Sequence, residues 1–87
     1  MADQELLQFP TDYPIKVVAH AGTDLRARID TIMQRHVPVA DLTPGSERHS
    51  GQGKYLAISY NIVARGKPQI IALVEELGAA HGVIMVL

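Results

Sequence analysis

The sequence predicts an α+β sandwich, a four-stranded antiparallel sheet with two helices on one face, in the order strand, helix, strand, strand, helix, strand. Three observations carry that expectation. Residues Tyr55 to Ala64 alternate with a period of two, as a half-buried strand does. Leu25, Ile29, Ile32, Met33 and His36, and later Ile70, Ile71, Val74 and Leu77, recur instead at the spacing of helical stripes. Pro44-Gly45 then falls inside the weakest strand, which places that strand at an edge, where a missing N–H is tolerated.

The elements follow in order. Residues 1–14 read as an N-terminal arm: Leu6, Leu7 and Phe9 tuck against the body, one helical turn from Asp3 is allowed, and Pro10 and Pro14 oppose continuous regular structure. Ile15 to Ala21 is the first strand, with Ile15, Val17 and Ala19 on one face and Lys16, Val18 and His20 on the other. Gly22-Thr23-Asp24 turns into the first helix, with Thr23 as N-cap and Asp24 suited to the positive helix end. Arg26, Arg28, Asp30 and Arg35 lie off its apolar stripe, and Val37-Pro38 marks its stop.

Ser50-Gly51-Gln52-Gly53 is a hairpin tip. In the long strand, Leu56, Ile58, Tyr60, Ile62 and Ala64 share one face, opposite Tyr55, Ala57, Ser59, Asn61 and Val63. Pro68 opens the second helix and Gly78 closes it. Val83 to Leu87 is the last strand, apolar on both faces.

The compact solution to this order is a ferredoxin-like sandwich with strand order 4-1-3-2. It puts the Pro44 strand at an edge, in agreement with its composition. It also gathers His20, His49 and His81 at one end, with His36 and Arg65 at the other.

Composition bounds the function. The 87 residues make one domain, and a chain of that size buries only about 60–65% of its unfolded surface. A marginal core favours help from a second copy. The charge of −1 with no run of like charges lacks a nucleic-acid footprint. The absence of cysteine excludes disulfides, thiolate metal sites and a cysteine nucleophile. No apolar stretch approaches the roughly 20 residues of a membrane span, and the start is not a signal peptide, so the expected location is cytoplasmic.

No catalytic constellation emerges. Glu75 and Glu76 are adjacent on a helix, point about 100° apart and read as a solvated face. Ser46, Ser50 and Ser59 have no evident histidine base. The three histidines lack ligand spacing, so no metal or cofactor is expected. An acylphosphatase-like enzyme would need an arginine in the loop after the first strand, where His20 to Asp24 has none, and its asparagine partner, where Asn61 sits mid-strand. Tyr55 is the one aromatic placed to stack a base on the open face, so packing is its simpler role.

Two binding surfaces remain. The loop His20, Gly22, Thr23 and Asp24 could receive a small molecule, with glycine allowing close approach to the backbone. The helix-free sheet face, with Val18, Tyr55, Ala57 and Val63, is apolar enough to expect a partner, read as a homodimer through the face or an edge. A structural adaptor docking a larger protein on that face is the alternative.

Several segments together resemble a known family: Leu6-Leu7-Gln8-Phe9-Pro10-Thr11, Gln34-Arg35-His36-Val37-Pro38, Gly53-Lys54-Tyr55, Glu75-Glu76-Leu77-Gly78 and Val83-Ile84-Met85-Val86-Leu87. The chain resembles the YbeD-like small bacterial proteins of unknown function over nearly its whole length. The resemblance implies a ferredoxin-like fold close to the ACT regulatory domains, which bind amino acids or other small ligands, often at dimer interfaces. It implies a bacterial origin and, through gene neighbours of some relatives, a link to lipoate synthesis. It brings no catalytic residues. His20 to Leu25 occupies the place of the ACT ligand loop and keeps its glycine, without the Asp-x-Pro-Gly pattern common there.

Overall fold

The computed structural model describes residues 8–87. The elements are β1 (Thr11–His20), α1 (Leu25–His36), a 3-10 turn (Val39–Asp41), β2 (Leu42–Ser50), β3 (Tyr55–Ala64), α2 (Lys67–Ala79) and β4 (Val83–Val86). The sheet is antiparallel in the order β2-β3-β1-β4, the expected ferredoxin-like arrangement. The expected contacts of Leu6 and Leu7 and the turn from Asp3 fall outside the described residues.

β3 is the centre of the fold because both of its faces have a defined use. Leu56, Ile58, Tyr60, Ile62 and Ala64 are all buried against the helices, together with Ile15, Val17 and Ala19 of β1. The helices close this layer with Leu25, Ile29, Ile32 and Met33 from α1 and Ile70, Leu73 and Leu77 from α2. At about 25 cal/mol for each Å² of apolar surface withdrawn from water, this continuous layer is the main favourable term in folding.

Four local expectations need correction. β1 begins at Thr11 and runs through Pro14, so the arm is shorter than residues 1–14. The Lys16 N–H donates to the Leu87 carbonyl at 3.0 Å, and the Pro14 nitrogen, two residues earlier, faces the same edge beyond the β4 pairing. Proline therefore removes no ladder bond there. Phe9 still packs on the core as expected.

Thr23 does not cap α1. Asp24 holds the N-cap position, without a side-chain cap, and Thr23 lies in the preceding turn. Gly78 lies inside α2, which continues to Ala79 and is capped at Ala80. Ile71 is 52% exposed, and Leu73 takes its place in the buried stripe. The 3.6-residue period puts residues 70, 73 and 77 in one line and turns 71 outward.

Two irregularities shape the sheet surface. Register shifts between Pro44 and Glu47 in β2, where Gly45 lies against β3. A Cβ at Gly45 would sit 2.9 Å from the Ser59 carbonyl oxygen, so only glycine permits this approach. In β4, Ala19 pairs with Val83 but Val18 with Met85, leaving Ile84 as an extra, exposed residue.

Candidate functional site

The loop after β1 is held from two sides. The Ala21 N–H donates to the Lys54 carbonyl at 2.9 Å, and the His20 N–H to the Gly82 carbonyl at 2.8 Å. His20, Gly22, Thr23 and Asp24 are all exposed. The His20 ring rests near that of Tyr55, with centroids 5.5 Å apart. Asp24 pairs with Arg28 Nε at 3.3 Å, and Arg28 Nη1 donates to the His81 carbonyl at 2.9 Å. That arginine ties the start of α1 to the turn before β4.

The histidines do not converge. His20 pairs with Tyr55 and lies on the open face, whereas His49 pairs with the buried Leu56 and lies on the helix side. Among the described residues, no group of three or more histidines and carboxylates could hold a metal ion.

At the opposite end, Gln69 bridges His36 and Arg65: its amide donates to the His36 carbonyl at 2.9 Å and accepts from the Arg65 N–H at 2.6 Å. Glu76 is half-buried between Arg35 and His36, with His36 Nε2 at 2.6 Å. It is thus not the solvated acid that helix position alone suggests, and of the two only Glu75 is exposed.

The helix-free face is divided by its residues. Val18, Ala57 and Val63 are half-buried, and Tyr55 is exposed. On this face the exposed large apolar side chains include Met85 of β4, beside Val18, and Leu87 just after β4, beside Lys16, with 47% and 67% of their surfaces in solvent.

Toward β2 the same face becomes polar. Lys16, Ser46, Glu47, Arg48, Ala57 and Ser59 line a depression of about 410 Å³. Lys16 pairs with Ser59 and Arg48 with Ala57, so the two cations approach the β3 floor from opposite neighbouring strands. A second depression, of about 310 Å³, shares Lys16 and Ser59 and continues past Pro14 and Leu87. Sequence reading missed this site because Arg48 and Lys16 are distant in the chain. The available signal was the pair of small residues, Ala57 and Ser59, in the strand between them.

On the helix side, Tyr60 donates to Asp30 at 2.5 Å, and Arg26 pairs with both Asp30 and Glu47. Burial first, and then the Asp30 carboxylate, hold the Tyr60 hydroxyl well above the usual phenol range. This network fastens α1 to β3 and β2.

The architecture defines a ferredoxin-like α+β domain. Its fold is similar to the ACT domain of the GTP pyrophosphokinase of Chlorobium tepidum, with a TM-score of 0.66 at 14% identity over 88% of this chain and 97% of that one. It is also similar to the C-terminal domain of the MgtC protein of Mycobacterium tuberculosis, with a TM-score of 0.60 at 17% identity over 94% and 89%.

The chain belongs to the family described as "Protein of unknown function (DUF493)", whose model matches residues 4–87. It is 40% identical over 83 residues to the UPF0250 protein of Shewanella sediminis, covering 95% of this chain and 92% of that protein. It is equally 40% identical over 83 residues to the UPF0250 protein YbeD of Escherichia coli, covering 95% and 93%. The resemblance to YbeD-like bacterial proteins read from the sequence is thereby established.

Proposed function

We propose that this chain is a non-enzymatic regulatory module that works as a homodimer and responds to a small metabolite or a protein partner. The carrying observation is the helix-free sheet face, which leaves Met85 and Leu87 in solvent beside Val18. Apolar side chains at such positions are the usual mark of a partner surface. The fold shared with an ACT domain of a GTP pyrophosphokinase supports a regulatory reading by analogy. The loop His20, Gly22, Thr23 and Asp24 supplies a glycine-bearing turn at a helix start for ligand contact, and its anchors to Lys54 and Gly82 hold it in place. A cytoplasmic location accords with this role.

Native mass spectrometry of the full chain tests the reading. The expected species is a dimer of the 9.5 kDa chain that becomes a monomer in the double variant Met85→Asp, Leu87→Asp. A wild-type monomer at every accessible concentration would overturn the dimer. Gly22→Val with Asp24→Lys should abolish any co-purifying adduct, and an undiminished adduct would remove the loop from the site.

A further inference from the structure

We infer that the depression between β1, β3 and β2 is a binding site for a small organic dianion, a phosphomonoester or dicarboxylate, held by Lys16 and Arg48 with the Ser46 and Ser59 hydroxyls. This site is separate from the loop after β1 and does not depend on it.

The first argument is charge. Arg26, Arg28, Arg35 and Arg65 each pair with a carboxylate. Lys16 and Arg48 form no ion pair among the described residues, yet both line one depression. The acid in that lining, Glu47, is engaged by Arg26 of α1, on the other side of the sheet. Asp12, on the face of Lys16, lies four residues away along β1, roughly 13 Å in an extended strand. Two cations without a carboxylate partner, one on each side of β3, leave a positive potential over the depression. A dianion entering the depression meets both charges at once.

The second argument is shape. Ala57 and Ser59 give β3 a low floor between two long side chains. The irregularity in β2, permitted by Gly45, brings Ser46 to the rim beside Ser59. Bulges commonly re-aim side chains in this way. The guanidinium can grip two oxygens at once, the ammonium supplies a point charge, and the hydroxyls donate to remaining oxygens. The volume of about 410 Å³ falls within the range of small-ligand sites.

The test is an amide-resolved NMR titration of the full chain with inorganic phosphate, succinate and, as the monoanion, acetate, at constant ionic strength. The expected result is saturable shifts centred on Ser46, Arg48, Ala57 and Ser59 with phosphate or succinate, and with acetate about tenfold weaker. Which dianion binds more tightly identifies the ligand class. Lys16→Met and Arg48→Met, both at exposed positions, should each weaken binding about tenfold, while Lys67→Met leaves it unchanged. Shifts that never saturate, that centre on Gly22 to Leu25, or that fall equally in Lys67→Met would overturn the proposal. Unchanged wild-type dispersion in the variant spectra separates lost binding from lost folding.

Discussion

Arg65, just after β3, grips Asp41 of the 3-10 turn with two parallel hydrogen bonds, Nε to Oδ2 at 3.0 Å and Nη2 to Oδ1 at 2.9 Å. Asp41 is the one buried charged residue among those described. The pair joins the segment entering β2 to the end of β3, two points 24 residues apart.

The hydrogen bond from Arg65 holds the Asp41 carboxyl below its ordinary range, and its positive charge adds to the effect. A carboxylate depressed in the folded state adds stability that is complete above its unfolded pKa, near 3.8, and is lost as pH falls through the lower folded value. Thermal unfolding followed from about pH 6 down to about pH 2 should therefore show a steeper loss in the wild type than in Asp41→Asn. Parallel curves would mean that the pair contributes nothing to acid sensitivity.

Tyr60→Phe removes the hydroxyl that meets Asp30 while keeping the buried ring. Hydrogen bonds to charged groups contribute about 1.5–3 kcal/mol. Asp30 keeps Arg26 and has 38% of its side chain in solvent, so the expected loss in urea unfolding is about 1–2 kcal/mol. A variant as stable as wild type would show that water replaces the phenol at no cost.

Leu73→Ala opens the fully buried centre of α2. Such truncations cost about 2–5 kcal/mol. In a domain this small that is a large share of the total, and the denaturation midpoint should fall sharply with an unchanged slope. Glu75→Ala, on the exposed side of the same helix, should shift it little.

Gly45→Ala places a methyl group against the Ser59 carbonyl, with an expected loss of about 1–3 kcal/mol from overpacking. Because the same contact sets Ser46 at the rim of the depression, the variant should also bind phosphate or succinate more weakly than wild type in the NMR titration. Full stability and full binding together would show that β2 shifts freely.

Much of the fold was legible because its signals are local. The alternation from Tyr55 to Ala64 marked β3 and assigned both its faces, and Pro44-Gly45 put β2 at an edge. The errors lay at element boundaries and in which residues of α2 face inward. Pro14 read as a break because a proline's cost depends on what its nitrogen faces, and that was settled by where β4 stops pairing. Ile71 and Leu73 both satisfy a loose apolar spacing, and only docking of α2 on the sheet chose between them.

The sequence by itself determined the element order, the sheet's edge strand, the buried face of β3 and the resemblance to the YbeD-like family. The first three follow from residue periodicity and turn chemistry, which act over a few positions, and the resemblance from short segments taken together in their order. Only the tertiary structure decided that Asp41 meets Arg65, that Glu76 sits between Arg35 and His36, and that Lys16 and Arg48 face one depression. These pairings span 24 to 41 residues, and their geometry is set by strand register and by the irregularity at Gly45. A one-residue slip would send every side chain of a strand to the other face, so such sites exist only once the whole sheet is assembled.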